Sequence, residues 1–210
     1  MQFQRISLFF GVGLLLLILT HRYANLIINT IIPLYEWMVH QIDYRFDKTM
    51  LYIANFQGES YLQLDVEISQ PFWLGLQKIA PTQPIYNSTG MAVANVLQPI
   101  VLIFTIVLAW PVKHCIVLIY RILCALPVIV FLMLFDIPFQ LVNSSWQGLE
   151  QTLKLNIATT KWFAYWSDFL NGGGLMALSI TGGLLIIALV DIIPNAIKST
   201  ALNVNSATLE

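Results

Sequence analysis

Apolar residues in this chain come in long uncharged runs, and the period of the pattern changes between them. Met91–Trp110 is twenty residues without a charge, and Ile122–Val142 is twenty-one residues with a single one, Asp136. A helix rises ~1.5 Å per residue and a bilayer core is ~30 Å thick, so each run is long enough to cross it. The connection Pro111–Arg121 carries Lys113, His114 and Arg121 and no acid. Such a short connection makes the two helices antiparallel neighbours. Ile6–Thr20, preceded by Arg5, is a first apolar run, and no A-x-A-like cleavage site follows it, which predicts an uncleaved signal anchor reaching Arg22. Gly172–Pro194 is the last run. The pattern predicts four spans, 6–22, 91–110, 122–142 and 172–194.

Between these runs the periodicity specifies other elements. Over Ala24–Ile42, apolar Ile27, Ile28, Ile31, Tyr35, Met38 and Ile42 recur every three or four residues, with Asn25, Asn29, Glu36, His40 and Asp43 on the other side. The first helix therefore continues and becomes amphipathic, with Pro33 as the expected bend. Leu62, Leu64, Val66 and Ile68 then alternate with Gln63, Asp65, Glu67 and Ser69, which is the period of a half-buried strand. With Thr49–Phe56 as partner and Gln57-Gly58-Glu59-Ser60 as turn, an antiparallel hairpin over 49–70 is predicted. A lone hairpin is marginal in water, and the amphipathic helix is the nearest lid. Pro71–Gly90, with Pro71, Pro81 and Pro84, reads as an irregular return to the membrane. After the third span, Trp146, Leu149, Leu153 and Ile157 share a helical face in an aromatic segment that also holds Trp162 and Trp166. This predicts an interfacial helix over about 146–170, with Trp146, Trp162 and Trp166 at the membrane boundary. The tail from Asn195 to Glu210 is polar and expected to fray.

Composition agrees with the pattern. The chain is 58% hydrophobic and 10% charged, with mean hydropathy +0.74. Soluble domains average about 25% charged residues. The fold class is a mainly α integral membrane protein in one domain over 1–210, with four transmembrane helices, a small external β-hairpin and an interfacial helix. A net charge of −1 leaves no basic surplus for nucleic acid. Two cysteines, Cys115 and Cys124, make no disulfide framework and read as free thiols packed as small hydrophobes. With the N-terminus inside, Arg5, Lys113, Arg121 and Lys198 are all cytoplasmic. Both termini are then cytoplasmic, and the hairpin and the Trp-rich segment are periplasmic.

Asp136 is the residue that stands out chemically. Counted from Arg121, it lies about 22 Å into a ~30 Å core, where a carboxylate needs a partner or water. It is read either as a proton or ligand contact or as an interfacial acid at the frayed helix beside Pro138. Asp191 reads as an inner-interface residue near Lys198. His114 and Cys115 are adjacent, so on a helix they point ~100° apart and make a poor nucleophile–base pair. His21, His40 and His114 are too scattered for a metal site, and neither metal nor cofactor is expected. Gly173, Ala177 and Thr181 recur every four residues, and Gly174 and Gly182 every eight, a small-residue face that lets a helix pack closely on another span or subunit. Asn87-Ser88-Thr89 and Asn143-Ser144-Ser145 match the glycosylation sequon, but triplets of this kind arise easily by chance.

The layout runs from an anchor helix to an external hairpin, a span ending Ala109-Trp110-Pro111 and a span ending Asp136-Ile137-Pro138. It closes on a span opening Asp168-Phe169-Leu170-Asn171-Gly172-Gly173-Gly174. This resembles the small four-span membrane proteins associated with bacterial exosortases, particularly the type H system. The resemblance implies an accessory role in the inner membrane without chemistry of its own. Exosortases are larger polytopic enzymes with a Cys nucleophile. The expectation is thus a non-enzymatic accessory or scaffolding protein, in contact with membrane lipid and other integral membrane subunits. A small structural subunit of a respiratory or oxygenase-type complex is the next reading, and a membrane enzyme or carrier built on Asp136 the third.

Overall fold

The computed structural model describes residues 2–74, 77–112, 115–153 and 161–207. Among the described residues the elements run α1 (Gln2–Arg22), α2 (Ala24–Ile42), β1 (Lys48–Phe56), β2 (Glu59–Ile68), β3 (Phe72–Leu74), β4 (Gln77–Ile79), β5 (Ile85–Ala92), α3 (Val93–Ala109), α4 (Cys115–Leu153), α5 (Lys161–Phe169) and α6 (Leu175–Ala207), with β1, β2 and β5 in one sheet and β3 and β4 in another. Among the described residues two helices are long and apolar enough to cross a membrane, Cys115–Gln151 and Ala164–Asp191, and the pair Ile6–Arg22 and Ala24–Ile42, bent by 70°, makes a third if counted as one span. The four-span expectation is thus met in part. Helix α3 has 17 residues, because Met91 and Ala92 belong to strand β5 and not to the helix.

The bend expected at Pro33 falls instead at Tyr23, whose φ of −106° and ψ of 13° leave the helical region, and Pro33 lies inside α2. Just before the break, the Thr20 hydroxyl donates back to the carbonyls of Leu16 and Leu17, a bond that loosens the helical ladder. Beyond it, α2 buries Ala24, Ile28, Tyr35 and Val39, the face its periodicity marked.

The hairpin forms with its turn at Gln57 and Gly58, both at positive φ, 51° and 86°. That is the two-residue turn whose twist matches antiparallel strands. Leu62, Leu64, Val66 and Ile68 are buried beneath the sheet. The sheet has a third strand that the pattern did not predict. Ile85–Ala92 pairs antiparallel with β2, from Ile68↔Ile85 to Tyr61↔Ala92, giving the order β1-β2-β5. Residues read as an irregular return therefore close the other edge of the hairpin.

The expected end of the third span at Val142 is also corrected. Helix α4 is continuous for 39 residues, through Pro127 and Pro138, to Leu153. Asn143 and Ser145 are buried, so the polar stretch that looked like a membrane exit continues as helix beneath the sheet. The predicted interfacial helix over 146–170 is accordingly divided: Trp146 belongs to α4, 154–160 lie outside the described residues, and Lys161–Phe169 is a separate helix. Leu170–Gly174 form a π-type turn before α6, broken at Gly173 with φ 107°. The tail expected to fray is helical as far as Ala207. Both cysteines are exposed free thiols, not packed ones.

Candidate functional site

Among the described residues, the buried charged side chains, Asp43, Arg121 and Asp136, lie at three levels along α4. The first lies under the sheet. Helix α2 ends at Ile42, and its C-cap Asp43, 4% exposed, turns its carboxylate toward α4. Oδ1 accepts from the Arg45 backbone N–H at 3.0 Å and from Arg45 Nε at 2.8 Å. Oδ2 accepts from Arg45 Nη2 at 2.6 Å and from Trp146 Nε1 at 2.7 Å. Four donors saturate the carboxylate, so no lone pair is left to act as a base. The Arg45 guanidinium lies 4.2 Å from the Trp146 ring centroid. Phe46 stacks on Trp146 at 5.8 Å, and Phe72 meets it edge-on at 5.9 Å. The chain leaving this clamp is pinned again four residues later. Asp47 Oδ2 accepts from the Ser69 N–H at 2.6 Å, the Ser69 hydroxyl at 2.7 Å and the Gln70 N–H at 3.0 Å. The Ser69 N–H, then its hydroxyl, hold the Asp47 carboxyl below the usual carboxylate range. On the other edge of the sheet, Asn87 Nδ2 donates to the Ser145 carbonyl at 3.0 Å. A Cβ on Gly148 would stand 2.7 Å from Asn87 Oδ1, so α4 has a glycine where β5 comes closest.

The second level is at the far end of α4. Arg121, 1% exposed, places Nη2 at 2.8 Å from both oxygens of Asp191 on α6, and Nη1 donates to the Trp110 carbonyl at 3.2 Å. One guanidinium thus joins α3, α4 and α6. Asp191 serves as the counter-ion of Arg121. Arg121 and Trp146 are about 37 Å apart along α4 at 1.5 Å per residue, a little more than a ~30 Å hydrocarbon core. Ile6, Phe9 and Phe10 of α1 line an apolar groove of about 540 Å³ with Ile106, Ala109, Trp110, Pro111, Ile180 and Leu184. The start of α1 therefore sits at the Arg121 end of the molecule.

The third level is between them. Asp136 is 2% exposed and accepts a hydrogen bond from the Gln140 side-chain amide one turn on. Helix α2, packed against α4, carries the fully buried Tyr35, whose hydroxyl has no hydrogen-bond partner among the described residues.

The predicted small-residue face divides. Gly182 packs on Val128 of α4, its Cβ position 3.2 Å from Cγ1, while Ala177 and Thr181 are exposed. Gly173 lies in the π turn, and at Gly174 a Cβ would stand 2.6 Å from the Phe169 carbonyl, so this pair marks a helix break. Gly183, against Ile106 at 3.1 Å, is the close contact between α6 and α3. Trp146 is not interfacial but 1% exposed in the core. The Trp162 side chain lies outside the described residues. Trp166 Nε1 donates to the Phe135 carbonyl at 3.0 Å, tying α5 to α4. Of the two sequons, Asn87 is packed against α4 and Asn143 is buried. Sequence reasoning missed Asp43, Arg45, Tyr35 and the Arg121–Asp191 pair. Arg121 carried a signal, as a basic residue directly before the long apolar run Ile122–Val142, with Asp191 near the end of the last one.

Comparison with known families and curated proteins by sequence, and with solved structures by shape, finds no match.

Proposed function

We propose that this chain is a non-enzymatic accessory protein of a bacterial inner-membrane complex, which holds its sheet against a partner membrane protein at a fixed distance from the bilayer. The observation that carries this reading is the Asp43–Arg45–Trp146 clamp. It makes the sheet a rigid extension of α4, and rigid placement is what a scaffold supplies. The outer sheet face leaves Met50 and Tyr86 exposed at 66% and 70%, large side chains of the kind that anchor interfaces. In this reading the chain crosses four times, with α3 as a short span of about 26 Å that the bilayer meets by local thinning. Both termini lie on the cytoplasmic side. The placement of Ile6, Trp110, Arg121 and Asp191 toward one end, with the sheet at the other, supports that path. An exosortase-type sorting enzyme is the partner that the sequence layout favours.

The test is extraction of the tagged chain in mild detergent, followed by size-exclusion chromatography and mass spectrometry. A membrane protein co-eluting at fixed stoichiometry, and lost when Met50→Lys and Tyr86→Glu are introduced together, is the expected result. Elution at the mass of one chain plus micelle, or a companion indifferent to the sheet variant, overturns the reading.

A further inference from the structure

We propose that Asp136 and Gln140 form an intramembrane proton-binding site, in which Asp136 takes up and releases a proton. Asp136 is almost wholly buried on α4, and its one hydrogen bond is from Gln140. The Tyr35 hydroxyl is buried and unpartnered. A carboxylate in such a place requires a counter-charge. Among the described side chains none supplies it. On α2, Glu36 accepts from the Leu51 N–H, His40 is exposed, and Asp43 is engaged by Arg45. On α6, Asp191 is engaged by Arg121. Helix α3 and strand β5 carry no charged residue, and Asp168 of α5 is exposed. Arg45 and Arg121, the basic residues of the described part that are not exposed, are each paired with another acid.

A proton is the charge that fits the space. The Asp136 and Gln140 side chains offer few oxygens, against the six or more that a hard divalent cation gathers. Gln140 Nε2 donates to Oδ1 in both protonation states. The step is H⁺ plus Asp136 carboxylate to carboxylic acid, with water as source and sink and no redox change.

The site stands apart from partner association, so it is tested on the purified full-length chain in lipid nanodiscs. Infrared difference spectra are recorded between wild type and Asp136→Asn across pH, with Gln140→Leu as a second variant that removes the one donor to Asp136. Wild type is expected to show a carboxylic-acid carbonyl band that Asp136→Asn lacks. The band fades reversibly as pH rises, and it shifts to higher frequency in Gln140→Leu, where the acid carbonyl loses its donor. Carboxylate bands alone at every pH at which the chain stays folded would overturn the proposal. So would an acid band that no pH removes, or one whose frequency Gln140→Leu leaves unchanged. Loss of the band when sodium replaces choline at fixed pH would make this a sodium site and equally refute it.

Discussion

The clamp beneath the sheet offers a quantitative test in Trp146→Phe. The substitution keeps an aromatic ring against Phe46 and Phe72 but removes the N–H that reaches Asp43 Oδ2 at 2.7 Å. A hydrogen bond to a charged group contributes about 1.5–3 kcal/mol when its partner stays buried, as this carboxylate does. The smaller ring also weakens the cation–π contact with Arg45 by about 0.5–1 kcal/mol. The expected loss is therefore about 2–4 kcal/mol, a substantial part of the roughly 5–15 kcal/mol by which domains are stable. Asp43→Ala removes the acceptor of the same hydrogen bond and also leaves Arg45 without its counter-ion, so alone it costs at least as much. Because the two variants remove one shared bond, the double variant should lose less than the sum, by about 1–3 kcal/mol. Reversible denaturation in detergent, followed by circular dichroism and by protease cleavage within the sheet, measures all three. Cleavage should rise before helical signal is lost, since the clamp joins the sheet to helices that remain packed elsewhere. A loss below about 0.5 kcal/mol for Trp146→Phe, or strict additivity in the double variant, would refute the clamp as the joint between the layers.

Other outcomes follow from the same contacts. Asp191→Asn should destabilise by about 3 kcal/mol, because it leaves Arg121 buried without a charge partner, whereas Arg121→Met should cost less by removing both the charge and its need; detergent melting curves compare the two. Gly148→Ala should break the Asn87–Ser145 hydrogen bond by driving a methyl group against the Asn87 amide, raising amide hydrogen exchange in Ile85–Ala92. Asp47 has a folded pKa below its unfolded value, so its contribution is complete above the ordinary carboxylate range and disappears as pH falls through the lower folded value. Protease protection of the Asp47–Gln70 junction should accordingly weaken in acid in the wild type, and Asp47→Asn should flatten that dependence.

The strand alternation from Leu62 to Ile68 and the three- and four-residue spacing on α2 were legible because each element buries one face, and burial writes its period into the sequence. Strand β5 was not legible: Ile85–Ala92 reads IYNSTGMA, with Asn, Ser and Gly where strands favour branched residues. Tertiary pairing overrides that preference, as β2 provides the backbone partners and α4 a surface for Asn87. The end of α4 was misplaced for a related reason. Asn143-Ser144-Ser145 looks like an exit to water, yet two of these residues are buried under a sheet that the local pattern cannot locate. Trp146 was read as interfacial because its type favours that boundary, while the Asp43 that receives its N–H is 103 residues away in sequence. Pairs such as these are invisible to periodicity, which reports what one element buries and not which distant group completes it.

The three polar levels of α4 also fit a single mechanical reading. A membrane helix held only by apolar contacts can rotate or slide against its neighbours at small cost, because lipid is as apolar as the packing partner. Directional bonds fix its register. Arg121 does so against α3 and α6 at one end, with two bonds to Asp191 and one to the Trp110 carbonyl. Trp146 does so against α2 at the other, through Asp43. Between them, Pro127 and Pro138 interrupt the ladder of α4, and a helix so interrupted bends unless its ends are held. Asp136 lies in this bendable middle, two residues before Pro138 and about 15 Å along the helix from the clamp. The clamp and the Arg121 bonds thus hold α4 on both sides of the stretch where its own ladder is weakest.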